Sequence, residues 1–350
     1  MKFKINDINI GDGNPVFFIA EAGVNHNGNI ELGKELITAA ALAGADAVKF
    51  QTFQTKNIIL TDAPKSSYHL ETTGGDETQS WYELLKTQEM SRAMHIELMD
   101  HCTKKNIIFM STPYDEESVD LLCELGVPAF KIASTDTNNT PFLEYVAKKR
   151  MPMILSSAMA NMEEVEAAIG AVRDCGLESV AILQCTGNYP SKLEDSNLRV
   201  MHTYRKILKC VVGYSDHTKE LINPIAATAM GANIIEKHFT LDKTLPGPDH
   251  RMSLEPNELK RTIEAIRSTE KAMGASKKIV LPQEKENRLK LRKSIVSNVR
   301  ILKGQIITKN MLGVKRPGTG LSPSTLNGLI GKKAQNDIAQ GILILPEMIK

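Results

Sequence analysis

Six side chains of this 350-residue chain have the types and placement to do chemistry together: Glu21, Lys49, Lys131, His217, Glu236 and His238. Each stands within or at the end of a short apolar run. An ammonium group among apolar residues is costly to bury unless an anion meets it. Lys49 in AVKFQT and Lys131 in FKIA therefore need either protein carboxylates, such as Glu21 and Glu236, or the phosphate and carboxylate of a ligand. Thr112, Ser134, Ser156 and Ser215 close other runs with hydroxyls, and lysines beside hydroxyls favour a small, doubly anionic ligand. His217 and His238 end two consecutive runs, good geometry for two imidazoles on one divalent ion, with Glu21 or water adding oxygen ligands. That mixed donor set suits Mn²⁺, with Mg²⁺ or Co²⁺ as substitutes. The alternative for each histidine is a hydrogen bond to neighbouring backbone. The five cysteines are scattered, odd in number and without a CxxC, which argues against a disulfide framework or a structural zinc site.

The elements that must position these groups follow from the runs themselves. Eight apolar runs cover residues 16–20, 47–50, 107–110, 129–133, 152–155, 179–183, 211–213 and 233–235. Runs of this length suit strands buried on both faces of a parallel sheet. Helical patterns lie between them at 29–43, 91–105, 115–125, 140–149, 161–175, 195–208, 220–230 and 255–273, several ending at a glycine such as Gly44, Gly126 or Gly176. Eight alternating units read as a (β/α)8 barrel. An open doubly wound sheet would show a GxGxxG loop after its first strand, and none is present. Barrel active sites form where strands end, which adds Gln51, Asp136, Asn188, Tyr189 and Asp249 to the candidate binding residues.

Residues 52–90 form a long excursion after the second run, suited to a lid or substrate loop. Residues 2–13 suggest a hairpin around Asp12-Gly13 that could plug the barrel bottom. Residues 277–293 are charged and broken at Pro282, which suits a linker, and 294–350 carry short β-type runs with Gly and Pro punctuation. The expected division is thus a catalytic barrel over 1–276, a linker over 277–293 and a small β-rich domain over 294–350. Lys+Arg (43) nearly balances Asp+Glu (41), so neither nucleic acid nor a membrane surface is an expected partner. The opening residues lack the apolar stretch of a signal peptide and no long apolar span occurs, so a cytoplasmic protein is expected.

Eight segments, in order along nearly the whole chain, are together highly specific: IAEAGVNHNG (19–28), AVKFQT (47–52), STP (111–113), FKIA (130–133), GYSDHT (213–218), IEKHFT (235–240), PGPD (246–249) and VKRPG (314–318). With them the chain resembles the sialic acid synthases and related nonulosonate synthases. The resemblance implies a (β/α)8 barrel followed by an antifreeze-like SAF domain. It also implies a domain-swapped homodimer in which the small domain of one subunit covers the other's barrel mouth. It implies His217 and His238 as metal ligands and Glu21 near the reacting carbons. Lys49, Thr112, Lys131, Ser134, Ser156 and Ser215 would line a phosphoenolpyruvate site. Gln51, Tyr189 and Asp249 would be sugar contacts, with Arg316 reaching the sugar's N-acetyl group. The implied reaction condenses phosphoenolpyruvate with N-acetylmannosamine and water, giving N-acetylneuraminate and phosphate. The alternative product is N,N'-diacetyllegionaminate, made from a 2,4-diacetamido-2,4,6-trideoxymannose. A non-catalytic carbohydrate-binding protein is a third, weaker reading, which the intact polar set opposes. The chain departs from the bacterial sialate pattern at Ala133-Ser134-Thr135-Asp136, where acidity is kept at Asp136, and at Cys185-Thr186-Gly187-Asn188-Tyr189-Pro190, where the asparagine is displaced by one residue. The loop at 68–79 looks more like the legionaminate branch, and these loops bear on the acceptor rather than the reaction type.

Overall fold

The eight runs pair into a closed parallel barrel in the computed structural model, which describes residues 1–65, 70, 73 and 80–350. A two-stranded hairpin comes first, β1 (Lys2–Ile5) and β2 (Ile8–Gly11). The barrel strands are β3 (Phe17–Gly23), β4 (Ala47–Thr52), β5 (Ile108–Pro113), β6 (Phe130–Ile132), β7 (Met153–Ser156), β8 (Val180–Cys185), β9 (Val211–Asp216) and β10 (Ile234–His238), and β10 closes against β3. Residues 66–69, 71–72 and 74–79 lie outside the described set, so most of the loop at 68–79 is not placed here.

Successive strand residues face opposite sides. Outward residues such as Val48, Phe50 and Ile235 pack with Leu36, Ile37 and the other helices in one large core. Inward residues form two layers. The lower is apolar: Phe17, Ile19, Met110, Ile154, Leu183 and Ile234 meet Phe3, Ile5 and Ile10 of the hairpin, which fills the barrel from below. The upper layer is polar and holds the site. Six barrel strands, β3, β4, β5, β8, β9 and β10, run two or three residues beyond the apolar runs that announced them. Backbone pairing continues after the inward side chains turn polar, with Glu21 opposite Lys49, Gln51 opposite Thr112, Ser215 opposite Glu236, and Glu21 opposite His238. Gly213 lies where β9 passes closest to β10. A Cβ there would sit 2.3 Å from the Ile234 carbonyl oxygen, so no larger residue fits.

The hairpin turns at Asn6-Asp7, between Ile5 and its partner Ile8, and not around Asp12-Gly13. Asn6 has a positive φ of 49°, which a tight two-residue turn requires and asparagine tolerates. The helices start where polar caps allow. Asn29 accepts from two backbone amides ahead of Ile30–Ala43, and Gly44 ends that helix in the left-handed conformation. The helix expected from 195 begins only at Val200. Residues 193–195 form a 3-10 turn, and Asn197, at φ 46°, interrupts the path.

The chain divides into two compact units, Met1–Gly274 and Ala275–Lys350. In the second unit the stretch read as plain linker carries a 3-10 turn opened by Pro282 and a short helix, Lys285–Leu291. Pro282 starts the turn because a first-turn position needs no N–H. Beyond it, β11 (Ser294–Ser297) pairs antiparallel with β12 (Leu312–Lys315), and Ile295, Ile301, Ile307, Leu312, Ile338 and Ile344 build a separate core. Among the described residues no helix is long and apolar enough to cross a membrane.

Candidate active site at the barrel top

Inward parity on successive strands brings the charged residues together. Glu21 (β3), Lys49 (β4), Lys131 (β6), Glu236 and His238 (β10), with His217 just past β9, line one cavity of about 140 Å³. Gln51, Thr112, Ser134, Ser156, Tyr189 and Ser215 line it as well. Lys49 Nζ lies 2.7 Å from Glu21 Oε2 and 3.8 Å from Glu236 Oε2, and donates to Thr112 Oγ1 at 2.8 Å. Lys131 Nζ donates to Ser156 Oγ at 2.6 Å and to the Ile132 carbonyl at 3.0 Å, with Glu236 Oε1 at 3.6 Å. Ser215 Oγ donates to Glu236 Oε1 at 3.0 Å, and Gln51 Nε2 to Glu21 Oε1 at 3.3 Å.

The electrostatics follow from this placement. Burial drives Glu21 upward and Glu236 adds to it, more than Lys49 can offset, so the Glu21 carboxyl is raised to about 7. Burial pulls Lys49 down, but Glu21 and Glu236 together carry it above the ordinary lysine range. Lys131 is lowered, because burial, with repulsion from Lys49 added, outweighs the pull of Glu236, Cys185 and Glu21. Burial opposes the charge on Glu236, yet Lys131 and Lys49 hold its carboxyl low. His238 falls well below its usual range through burial, His217 and Lys49, and so stays a neutral donor.

The site is under-satisfied. Glu236 Oε2, Glu21 Oε2 and His238 Nδ1 are buried with no hydrogen-bond partner. Glu21 Oε2 has its lysine at ion-pair distance but off the hydrogen-bonding direction. Buried polar atoms are normally paired, and three orphans converging on one cavity mark a place where a ligand completes the set. The imidazoles of His217 and His238 stand 5.6 Å apart between centroids, inclined at 58°. The Thr186 carbonyl oxygen is 2.6 Å from His217 Nδ1, which leaves Nε2 as the nitrogen that faces the cavity, 3.2 Å from Tyr189 Oη. Asp249 Oδ2 lies 3.8 Å from His238 Nδ1, and burial raises Asp249 to about 6. Burial pulls His217 down, but the Cys185 sulfur and the Thr186 carbonyl carry it to about 9, so a divalent ion held there would displace its Nε2 proton. With the neutral His238 and a carboxylate nearby, the pair then fits an ion that keeps open positions for water and substrate. Among the described residues no group of three or more His, Cys, Asp and Glu is placed to hold a metal ion, so the protein would offer at most the two imidazoles.

Four candidate residues do not line this cavity, Asp249 beside His238 being one of them. Asp136, in the 3-10 turn after β6, accepts from Asn139 Nδ2 at 3.1 Å and does not line the cavity. Asn188 is exposed, and its backbone carbonyl receives Ser191 Oγ. Both sit in loops past the strand ends, where inward parity no longer governs direction. Arg316 belongs to the second unit, exposed after β12. Seven lining residues were absent from the candidates, and two of them carry a reactive or hydroxyl group on or just past a barrel strand. Cys185 occupies an inward position of β8, its Sγ 3.6 Å from His217 Nδ1, and counting by twos from Ala181 and Leu183 would have found it. Tyr114 follows the end of β5, where the sequence gives no such signal.

A model of the NeuB family matches residues 36–278, and a SAF domain model matches residues 292–350. The chain belongs to the NeuB family. It is 45% identical to the N,N'-diacetyllegionaminic acid synthase of Campylobacter jejuni, over 93% of this chain and 98% of that one. It is 37% identical to human N-acetylneuraminate-9-phosphate synthase, over 97% of this chain and 94% of that protein. Among solved structures, the N-acetylneuraminic acid (sialic acid) synthetase of Leptospira borgpetersenii in complex with citrate superposes with a TM-score of 0.72 at 34% identity, covering 82% of this chain and 95% of that one. The NeuB chain is therefore a sialic acid and nonulosonate synthase in family, built as a (β/α)8 barrel with a SAF domain.

Proposed function

We propose that this NeuB chain joins C3 of phosphoenolpyruvate to the aldehyde carbon of an N-acetylated amino sugar and releases inorganic phosphate. The observation that carries the reading is the upper barrel layer, where two lysines, two carboxylates, two histidines and seven hydroxyl-bearing residues face one cavity in which three buried polar atoms lack a hydrogen bond. Lys49, Lys131, Thr112, Ser134, Ser156 and Ser215 hold the phosphate and carboxylate of phosphoenolpyruvate, so much of the rate gain is positional. The alkene carbon attacks the aldehyde, and positive charge develops at C2 of the enol. Glu21, as carboxylate, faces that charge and orients the water that adds there. The C2–O bond then breaks and its electron pair leaves with phosphate. Glu236 Oε2 is free to accept from that water or from a sugar hydroxyl. His217 and His238 hold a divalent ion, Mn²⁺ in this proposal, which when bound polarises the aldehyde oxygen as a Lewis acid.

Gln51, Tyr189 and Asp249 stand on the sugar side. The acceptor read first from the sequence is N-acetylmannosamine, with N-acetylneuraminate as product. The higher identity to the legionaminic acid synthase supports the diacetamido-trideoxy acceptor instead. Carried over from the family resemblance, the working form is a domain-swapped dimer in which Arg316 of each chain serves the partner's acceptor. Mass spectrometry of the product, with each sugar offered in turn beside phosphoenolpyruvate, tests the reading. A new species equal to sugar plus pyruvate supports it, and no such species from either sugar defeats it.

A further inference from the structure

His217 and His238 stand at the ends of neighbouring strands, and a buried polar cluster outside the barrel ties those ends together. Asp216 and Lys237 are direct partners in the ladder between β9 and β10, one residue before each histidine. Successive strand residues alternate sides, so both point away from the cavity, and both are buried. Their side chains form an ion pair. Asp216 Oδ1 also accepts from the Thr218 amide at 3.1 Å and from Thr218 Oγ1 at 2.9 Å, so the carboxylate reaches past His217 to its far neighbour. Lys237 Nζ donates to the Thr218 carbonyl at 2.7 Å and to the Glu220 carbonyl at 3.3 Å. The backbone on both sides of His217 is thus gripped from the strand that carries His238. Tyr214 Oη braces the carboxylate, donating to Asp216 Oδ1 at 3.2 Å while accepting from Asn223 Nδ2 at 3.2 Å.

Stability alone does not call for this cluster. A buried ion pair can be exchanged for apolar residues at little net cost. What an apolar pair lacks is direction. Asp216 Oδ1 takes three hydrogen bonds and Lys237 Nζ makes two to backbone carbonyls besides the ion pair, and together they fix the turn at His217 relative to β10. Groups that orient metal-binding imidazoles commonly set affinity by about 10-fold to 100-fold. We infer that Asp216 and Lys237 are positioning residues that hold the imidazoles of His217 and His238 at the spacing a divalent ion needs. The inference rests on the reading that these two histidines bind such an ion.

Mn²⁺ affinity of the full chain, measured by electron paramagnetic resonance of the free ion with no substrate present, separates positioning from stability. The double variant Lys237→Met/Asp216→Leu restores packing without direction. It should unfold near the wild-type urea midpoint yet bind Mn²⁺ about 10-fold more weakly. Thr218→Val leaves the ion pair in place and removes one hydrogen bond to Asp216, so affinity should fall roughly 3-fold. Leu143→Ala, in the helix Thr140–Ala147, opens a cavity away from the cluster; it should lower the midpoint and leave Mn²⁺ affinity unchanged. Wild-type affinity in either cluster variant overturns the inference and leaves the ion reading intact. So does a loss in Leu143→Ala as large as that in the double variant. Absence of Mn²⁺ binding by the wild-type protein overturns both.

Discussion

Glu21 and Lys131 hold the same burial and opposite charge, and each gives a separate prediction. Glu21→Gln keeps the side chain's shape and removes the negative charge facing C2, so kcat should fall by roughly 10² to 10³ with a smaller change in KM for phosphoenolpyruvate. Lys131→Met removes a ligand-holding cation and should act mainly on that KM; steady-state kinetics of the two variants check the split. His26 lies outside the chemistry. It is fully buried, accepts from the Gly28 amide at Nδ1, and leaves Nε2 unpartnered. Burial, with His95 adding to it, lowers its pKa to about 4 from the ordinary 6.5. The unfolded chain therefore binds a proton between pH 6.5 and 4 that the folded chain does not. The stabilising effect of the neutral ring is complete above pH 6.5 and is lost as pH falls toward 4. Between pH 7 and 5 that loss is about 2 kcal/mol. Urea unfolding at both pH values should show His26→Gln losing less stability on acidification than wild type, and equal losses would contradict this. At this scale Lys49, Lys131, His217 and His238 were legible because a charge or imidazole inside an apolar run is anomalous. Tyr114 was not, because a residue past a strand end carries no parity.

Strands β9 and β10 are tied outside the barrel by a pair that faces away from the cavity. Lys237 meets Asp216 and also donates to the Thr218 carbonyl at 2.7 Å, all buried. Each member directly precedes one of the two histidines. Breaking such a pair strands a buried charge and costs about 3–5 kcal/mol, whereas replacing both members by apolar residues can be nearly neutral. Lys237→Met should thus shift the urea midpoint strongly, and the double variant Lys237→Met/Asp216→Leu should recover most of the loss. Additive losses would rule out this account of the pair. The number and order of barrel elements were legible because buried parallel strands read as plain apolar runs. Their ends were not, because the inward residues turn polar where the site begins while the ladder continues. The hairpin turn was misplaced for a related reason. Asp12-Gly13 matches a favoured turn dipeptide, but the alternation of Phe3, Ile5 and Ile10 into the barrel sets the register and forces the turn to Asn6-Asp7.

Two units with separate cores make up the whole molecule, and the polar barrel top supplies most of the candidate site, with Asp136 and Asn188 in loops past the strand ends and Arg316 in the second unit. Neither composition nor periodicity gave Arg316 a role; VKRPG did so only through resemblance, since an exposed arginine in a small β-rich domain has no local signature. If the partner's Arg316 serves the acceptor, Arg316→Ala should leave a dimer in sedimentation and raise KM for the sugar about tenfold or more. An unchanged sugar KM would contradict the swapped cap. The central proposal concerns the barrel top itself: phosphoenolpyruvate should react there only when an amino-sugar aldehyde and a divalent ion held by His217 and His238 are both in place. Phosphate release from phosphoenolpyruvate, measured with and without sugar and before and after chelation, tests it most directly. The account predicts release that requires the sugar, stops with EDTA and returns with Mn²⁺. Release without any sugar, or at full rate in EDTA, would contradict it.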